Sequence, residues 1–141
     1  MKKFISILFI IVFLTGCKKT YLTCSRVVSS DQNAKVEETI ELIYKRKQLY
    51  KSNMYLDYSF KENANLNKEN LKKDLLSECE RNQDTKGVKC SVHNIDDKLR
   101  FELSLTVDEL SEEDSVRFEN MLNYGNYTDS FKKLEKEYSC K

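Results

Sequence analysis

Leu99-Arg100-Phe101-Glu102-Leu103-Ser104-Leu105-Thr106-Val107 alternates apolar and polar residues without a break. Side chains in a strand point to opposite faces in turn, so this stretch predicts a strand with one buried and one wet face. That pattern belongs to antiparallel sheets covered on one side only. Upstream, Val88, Cys90 and Val92 alternate in the same way, and Asp96-Asp97 between the two runs supplies a polar turn. The pair predicts a hairpin, with Gly87 marking the break before it.

The same period recurs near the start. Ile40, Leu42 and Tyr44 alternate with Thr39, Glu41 and Lys45, and Met54, Leu56, Tyr58 and Phe60 alternate with Tyr55, Asp57 and Ser59. Strands are expected near 21–28, 37–46 and 49–61, with Arg46-Lys47-Gln48 as the turn between the last two. From Leu66 to Arg81 the period becomes helical: Leu71, Leu75 and Cys79 lie four apart with Leu76 beside them, behind Asn67 as N-cap. Ser111-Glu112-Glu113-Asp114 predicts a second helix start, with acids favoured by the dipole, in a short helix ending near Tyr124-Gly125. Thr128 is expected to cap a last helix that carries Phe131, Leu134 and Tyr138 inward. The order of elements predicts an α+β fold: an antiparallel sheet of about five strands, with a central amphipathic helix and C-terminal helical segments packed on one face.

The N-terminus reads differently. Lys2 and Lys3 precede an apolar run from Phe4 to Leu14, then Thr15, Gly16 and Cys17. Eleven helical residues extend about 16 Å, short of the ~30 Å hydrocarbon core, so the run is not expected to be a permanent span. A basic start, a short apolar core and small residues before a cut describe an export signal. Leu14-Thr15-Gly16-Cys17 resembles the lipobox of bacterial lipoproteins. The resemblance implies diacylglycerol on the Cys17 sulfur, cleavage before Cys17 and often acylation of the freed amine. The expected organisation is a signal peptide at 1–16, a lipidated N-terminus and short tether at 17–20, and one α+β domain at 21–141, on the extracytoplasmic side of the cell envelope.

Removing residues 1–16 leaves 125 residues, enough for one modest core. It also removes two lysines, leaving 22 basic residues against 23 acidic ones. A mature charge near −1 supplies no strong field for nucleic acid. Eight tyrosines and seven phenylalanines argue against disorder. With Cys17 set apart, Cys24, Cys79, Cys90 and Cys140 form an even set in an oxidising compartment, where two disulfides are expected. Three pairings are open. Cys79 continues the inward face of its helix and Cys90 shares a strand face with Val88 and Val92, so these two are expected to meet, leaving Cys24 to Cys140.

The mature part resembles the YehR-like small lipoproteins of bacteria in its strand-rich first half, central helix, Lys86-Gly87-Val88-Lys89 entry and alternating hairpin through Val107. It departs from them in carrying four further cysteines. That resemblance implies a small anchored domain of largely unassigned function.

Chemistry-bearing constellations are few. Cys90 and His93 have a C-x-x-H spacing, but residues three apart on a strand face opposite ways and do not share a metal ion. No Cys-x-x-Cys is present, and Cys79 sits late in its helix, where the dipole disfavours a thiolate. His93 is the sole histidine, and its sequence neighbours identify no triad partner. Asp108, Glu109, Glu112, Glu113 and Asp114 lack the ligand spacing of a calcium loop, and Asn126-Tyr127-Thr128 reads as a turn into a helix. Tyr50, Tyr55 and the basic Lys45-Arg46-Lys47 tip are the surface features available for recognition. No catalytic residues, metal or cofactor are indicated. The expected function is a lipid-anchored, non-catalytic binding or interaction module whose partners are the membrane and an envelope protein or small ligand. An enzyme or small-ligand carrier with an assembled site is the alternative.

Overall fold

A computed structural model describes residues 18–62 and 67–141. Cys17 and the apolar run before it lie outside the described residues, as does Leu66. The chain forms strands β1 (Lys19–Ser30), β2 (Ala34–Lys45) and β3 (Gln48–Phe60), helix α1 (Lys68–Glu80), strands β4 (Val88–Ile95) and β5 (Lys98–Thr106), and a single 3-10 turn at Val107–Glu109. Short helices α2 (Glu112–Arg117), α3 (Glu119–Leu122) and α4 (Tyr127–Leu134) follow, and β6 (Ser139–Cys140) ends the chain's ordered elements. The six strands form one antiparallel sheet in the order β4-β5-β3-β2-β1-β6.

Three sequence expectations are corrected. The sheet has six strands, not five, because Ser139 and Cys140 pair with Ser25 and Cys24. Two residues are too few to show a period, and only the fold-back of the chain reveals them. The last helix is capped by Asn126, whose Oδ1 accepts the Asp129 N–H at 3.0 Å, rather than by Thr128. It stops at Leu134, so Tyr138 lies beyond it. The helix expected from Ser111 to Tyr124 is broken at Phe118 (φ −102°, ψ 20°), whose ring packs into the core instead of extending the helix. Ser111 does cap α2, accepting the Asp114 N–H at 3.1 Å. Asn67 likewise caps α1, taking the Glu69 and Asn70 N–H groups at 3.0 and 3.2 Å.

Register places the inward side chains in rows across the sheet. One row reads Leu22, Leu42, Ser52, Leu105 and Val88; the next reads Cys140, Cys24, Ile40, Met54, Leu103 and Cys90. The second row begins and ends in disulfides, since Cys24 is bonded to Cys140 and Cys90 to Cys79 of α1. Thr23 and Lys141 exchange backbone hydrogen bonds, which makes the neighbouring Cys24–Cys140 pair a non-hydrogen-bonded one with the closer side chains. Their Cα atoms are 4.0 Å apart.

The core divides into two clusters. Leu22, Cys24, Ile40, Leu42, Tyr44, Tyr124 and Leu134 form one, under α4. Cys79, Val88, Phe101, Leu103 and Leu105 form the other, under α1 and Phe118. Helix α4 is docked by a polar contact as well: the Tyr44 hydroxyl donates to Ser130 Oγ at 2.5 Å, and Ser130 Oγ donates to the Tyr124 carbonyl. Both clusters, both disulfides and all six strands are built from residues 19–140.

Gly87 fixes the entry to β4. Its φ of +79° is in the left-handed region, and its carbonyl accepts the Thr106 N–H at 2.7 Å. A Cβ there would sit 2.9 Å from both the Thr106 oxygen and Glu109 Cβ. Gly87→Ala is therefore expected to lower stability by about 1–3 kcal/mol from the backbone conformation alone, and by more if Glu109 cannot yield. A denaturant midpoint unchanged from wild type would contradict this.

Candidate functional sites

The first site is the anchored end. Strand β1 begins at Lys19, two residues earlier than expected, because Lys19 and Thr20 pair with Lys45 and Tyr44. Two residues reach about 7 Å at most, so the sheet starts almost at Cys17. The same register sets the Lys45-Arg46-Lys47 tip beside that start. Arg46 and Lys47 both take positive φ, 52° and 68°, as the two central residues of a tight type I′ hairpin must. The Lys19 and Lys45 ammonium groups lie 5.6 and 5.3 Å from the Tyr50 ring centroid, within cation–π range. Tyr50 is thus a half-buried platform under two lysines rather than a free aromatic.

The open face of the sheet is the second region. Arg100 makes two 2.7 Å hydrogen bonds to the Asp57 carboxylate and lies 5.3 Å from the Tyr55 ring. Ser104 Oγ donates to Asn53 Oδ1 at 2.7 Å, and Asn53 Nδ2 donates to Glu41 Oε1 at 2.8 Å. His93 Nε2 is 3.5 Å from a Glu102 oxygen, while Cys90 points to the other face and is bonded to Cys79. The two residues of the C-x-x-H spacing do not converge. A groove of about 780 Å³ runs along edge strand β4 and borders α1 at Leu76 and Glu80, the turn after it at Gln83, and this face at Asn53, Glu102 and Ser104. Asn53 and Ser104 already bond each other, so the groove's best-buried polar groups are satisfied.

A third region lies at the seam of the core. A hollow of about 260 Å³ is bounded by Arg26, Glu38, Ile40, Ser52, Met54, Asn120, Met121, Tyr124 and Tyr138. Glu38 is a carboxylate on the inward face, paired across the strands with Arg26. Arg26 Nε and the Tyr138 hydroxyl each donate to Glu38 Oε2 at 2.8 Å, and Arg26 Nη1 reaches Glu137 at 2.8 Å. The guanidinium stacks 4.4 Å from the Tyr138 ring centroid. Burial, reinforced by the bond to Glu38, pushes the Tyr138 phenol well above its ordinary pKa. Burial likewise raises Tyr124. Ser52 is 1% exposed, and its hydroxyl has no hydrogen-bond partner among the described residues.

Sequence reasoning did not single out Arg26, Glu38, Ser52 or Tyr138 as a group. A signal was present: the alternation puts Glu38 on the face of Ile40 and Leu42, and Ser52 on the face of Met54 and Leu56. A polar residue at an inward position is the informative exception in a strand pattern.

Together these describe a small α+β domain with an open six-stranded antiparallel sheet whose first strand starts two residues after Cys17 in sequence. The family model for the prokaryotic membrane lipoprotein lipid attachment site matches residues 1–17. The chain therefore carries the attachment signal of a bacterial lipoprotein, which places it at a membrane through lipid. No curated protein matches the chain. Among solved structures it is similar to the NMR structure of a protein from Streptococcus pneumoniae TIGR4, at 15% identity over 88% of this chain and 86% of that one, with a TM-score of 0.56. At that identity the likeness concerns the fold. Among the described residues, no helix is long and apolar enough to cross a membrane.

Proposed function

We propose that the protein is a non-catalytic binding module held on the extracytoplasmic side of the envelope by diacylglycerol on Cys17, with the Lys45–Lys47 end of its sheet against the bilayer. The observation that carries this reading is the pairing of Lys19 with Lys45. It ties the basic tip to a strand that starts two residues after the lipidated cysteine. Lys18, Lys19, Lys45, Arg46 and Lys47 then lie within a Debye length of the lipid surface, where each basic residue gains up to about 1 kcal/mol from anionic headgroups.

The non-lipidated mature chain is expected to bind vesicles containing phosphatidylglycerol and not pure phosphatidylcholine vesicles. Replacing Lys45, Arg46 and Lys47 by Gln should weaken that binding, and added salt should mimic the replacement. Sedimentation with vesicles reads the result. Binding that ignores all three substitutions would remove the apposed-tip part of the proposal.

A second reading, a carrier of a small ligand, is favoured by the hollow at the core seam. Its unpartnered Ser52 hydroxyl distinguishes it from the β4 groove, whose buried polar groups bond one another.

A further inference from the structure

We infer that the hollow between the two halves of the core binds a small uncharged molecule with an apolar body and a single hydroxyl or amide head. The inference deepens the carrier reading and is independent of the anchor. Its position comes from register. Ser52 is flanked across the sheet by Leu42 of one cluster and Leu105 of the other. A leucine or isoleucine at position 52 would join the two clusters; a serine leaves them separate and adds a hydroxyl to the gap.

Size, charge and polarity each narrow the occupant. At about 260 Å³ the hollow is below the usual 300–1,000 Å³ of drug-sized sites, which limits it to a ring-sized molecule. Ile40, Met54, Met121 and the Tyr124 ring supply the apolar part of its wall, and the amides of Asn53 and Asn120 add neutral polar groups beside Ser52. Glu38 is matched by Arg26 at 2.8 Å and bonded by Tyr138 as well. A charged ligand would have to compete with a pair already in place, and losing hydration in the hollow would cost it further. A neutral head group faces no such competition. The Ser52 hydroxyl, buried and unpartnered, both donates and accepts, so it fits an alcohol or an amide.

The test uses the oxidised mature chain with Cys17→Ser, which retains every strand, cluster and disulfide described. Benzyl alcohol is titrated while backbone amides are followed by NMR, with toluene, benzoate and benzylammonium as companions. Saturable shifts are expected at Ser52, Met54, Met121 and Tyr124, with benzyl alcohol binding more tightly than toluene and both ions binding at least tenfold more weakly than the alcohol. Ser52→Ala should weaken benzyl alcohol about threefold to tenfold, the scale of one neutral hydrogen bond, and leave toluene unchanged. It removes a hydroxyl without a partner, so the fold should tolerate it. Ser52→Val, which fills the gap, should reduce binding of both neutral probes. Absence of saturable shifts at these residues would overturn the inference, as would equal affinity for toluene and benzyl alcohol. Indifference of benzyl alcohol to Ser52→Ala would also overturn it, leaving that hydroxyl to hold only a structural water. None of these failures touches fatty-acid labelling at Cys17, which reports separately on the anchor.

Discussion

Removing the Cys24–Cys140 bridge through the double variant Cys24→Ala/Cys140→Ala is expected to lower stability by about 5 kcal/mol, and removing Cys79–Cys90 in the same way by about 3. The figures follow from the loops that the bonds close, 116 and 11 residues in sequence separation, since the unfolded chain loses more entropy when a longer loop is tied. Small domains have only about 5–15 kcal/mol in total. Loss of the long bridge should thus leave a domain close to its threshold. A local reason points the same way. Strand β6 has two residues, and the bridge holds it on β1 just after Tyr138, which covers the Arg26–Glu38 pair. Without the bond that end should fray and expose the partly buried Glu38 carboxylate further. Denaturant melts of the two double variants under non-reducing conditions decide the ranking. A larger loss from Cys79–Cys90 would show that packing of α1, not loop closure, controls stability. Peptide mapping that links Cys24 to Cys79 or Cys90 would overturn the register described for β1 and β6.

Cys17→Ser should abolish lipid attachment altogether. The hydroxyl is a far weaker nucleophile than the thiol. The expected product is the unprocessed precursor, longer by residues 1–16 and without label from a fatty-acid probe. The comparison should be made with the Cys24→Ala/Cys140→Ala pair, in which label should persist. Equal labelling of Cys17→Ser and wild type would end the lipoprotein assignment.

Much of the layer arrangement was legible because it is written locally. Alternation from Leu99 to Val107 and from Met54 to Phe60 marks strands with one inward face, and that face is where Leu99, Phe101, Leu103 and Leu105 are buried. The period of Leu71, Leu75 and Cys79 marks a helix, although only Cys79 among the helix residues is fully buried. Gly87 and Asp96-Asp97 mark the turns. Boundaries were less legible. Lys19 and Thr20 look like tether until β2 is seen to pair with them. Phe118 looks helical until the second cluster takes its ring. Thr128 looks like a cap until the helix is seen to start one residue before it, with Asn126 as cap just after the turn at Gly125, φ +66°.

The sequence alone determined the lipid-attachment signal, the α+β class and the facing of the cysteines, since each depends on residues within a few positions of one another. Only the tertiary structure decided that Ser52 falls between Leu42 and Leu105, that Glu38 meets Arg26 and Tyr138, and that the basic tip stands beside the anchored strand. Those neighbours are 10 to 100 residues apart in sequence, and a period carries no information about partners across a sheet. Register supplies it: one residue of slip would send Ser52 and Glu38 to the open face. The two-cluster core and its hollow exist because the strands pair in one register.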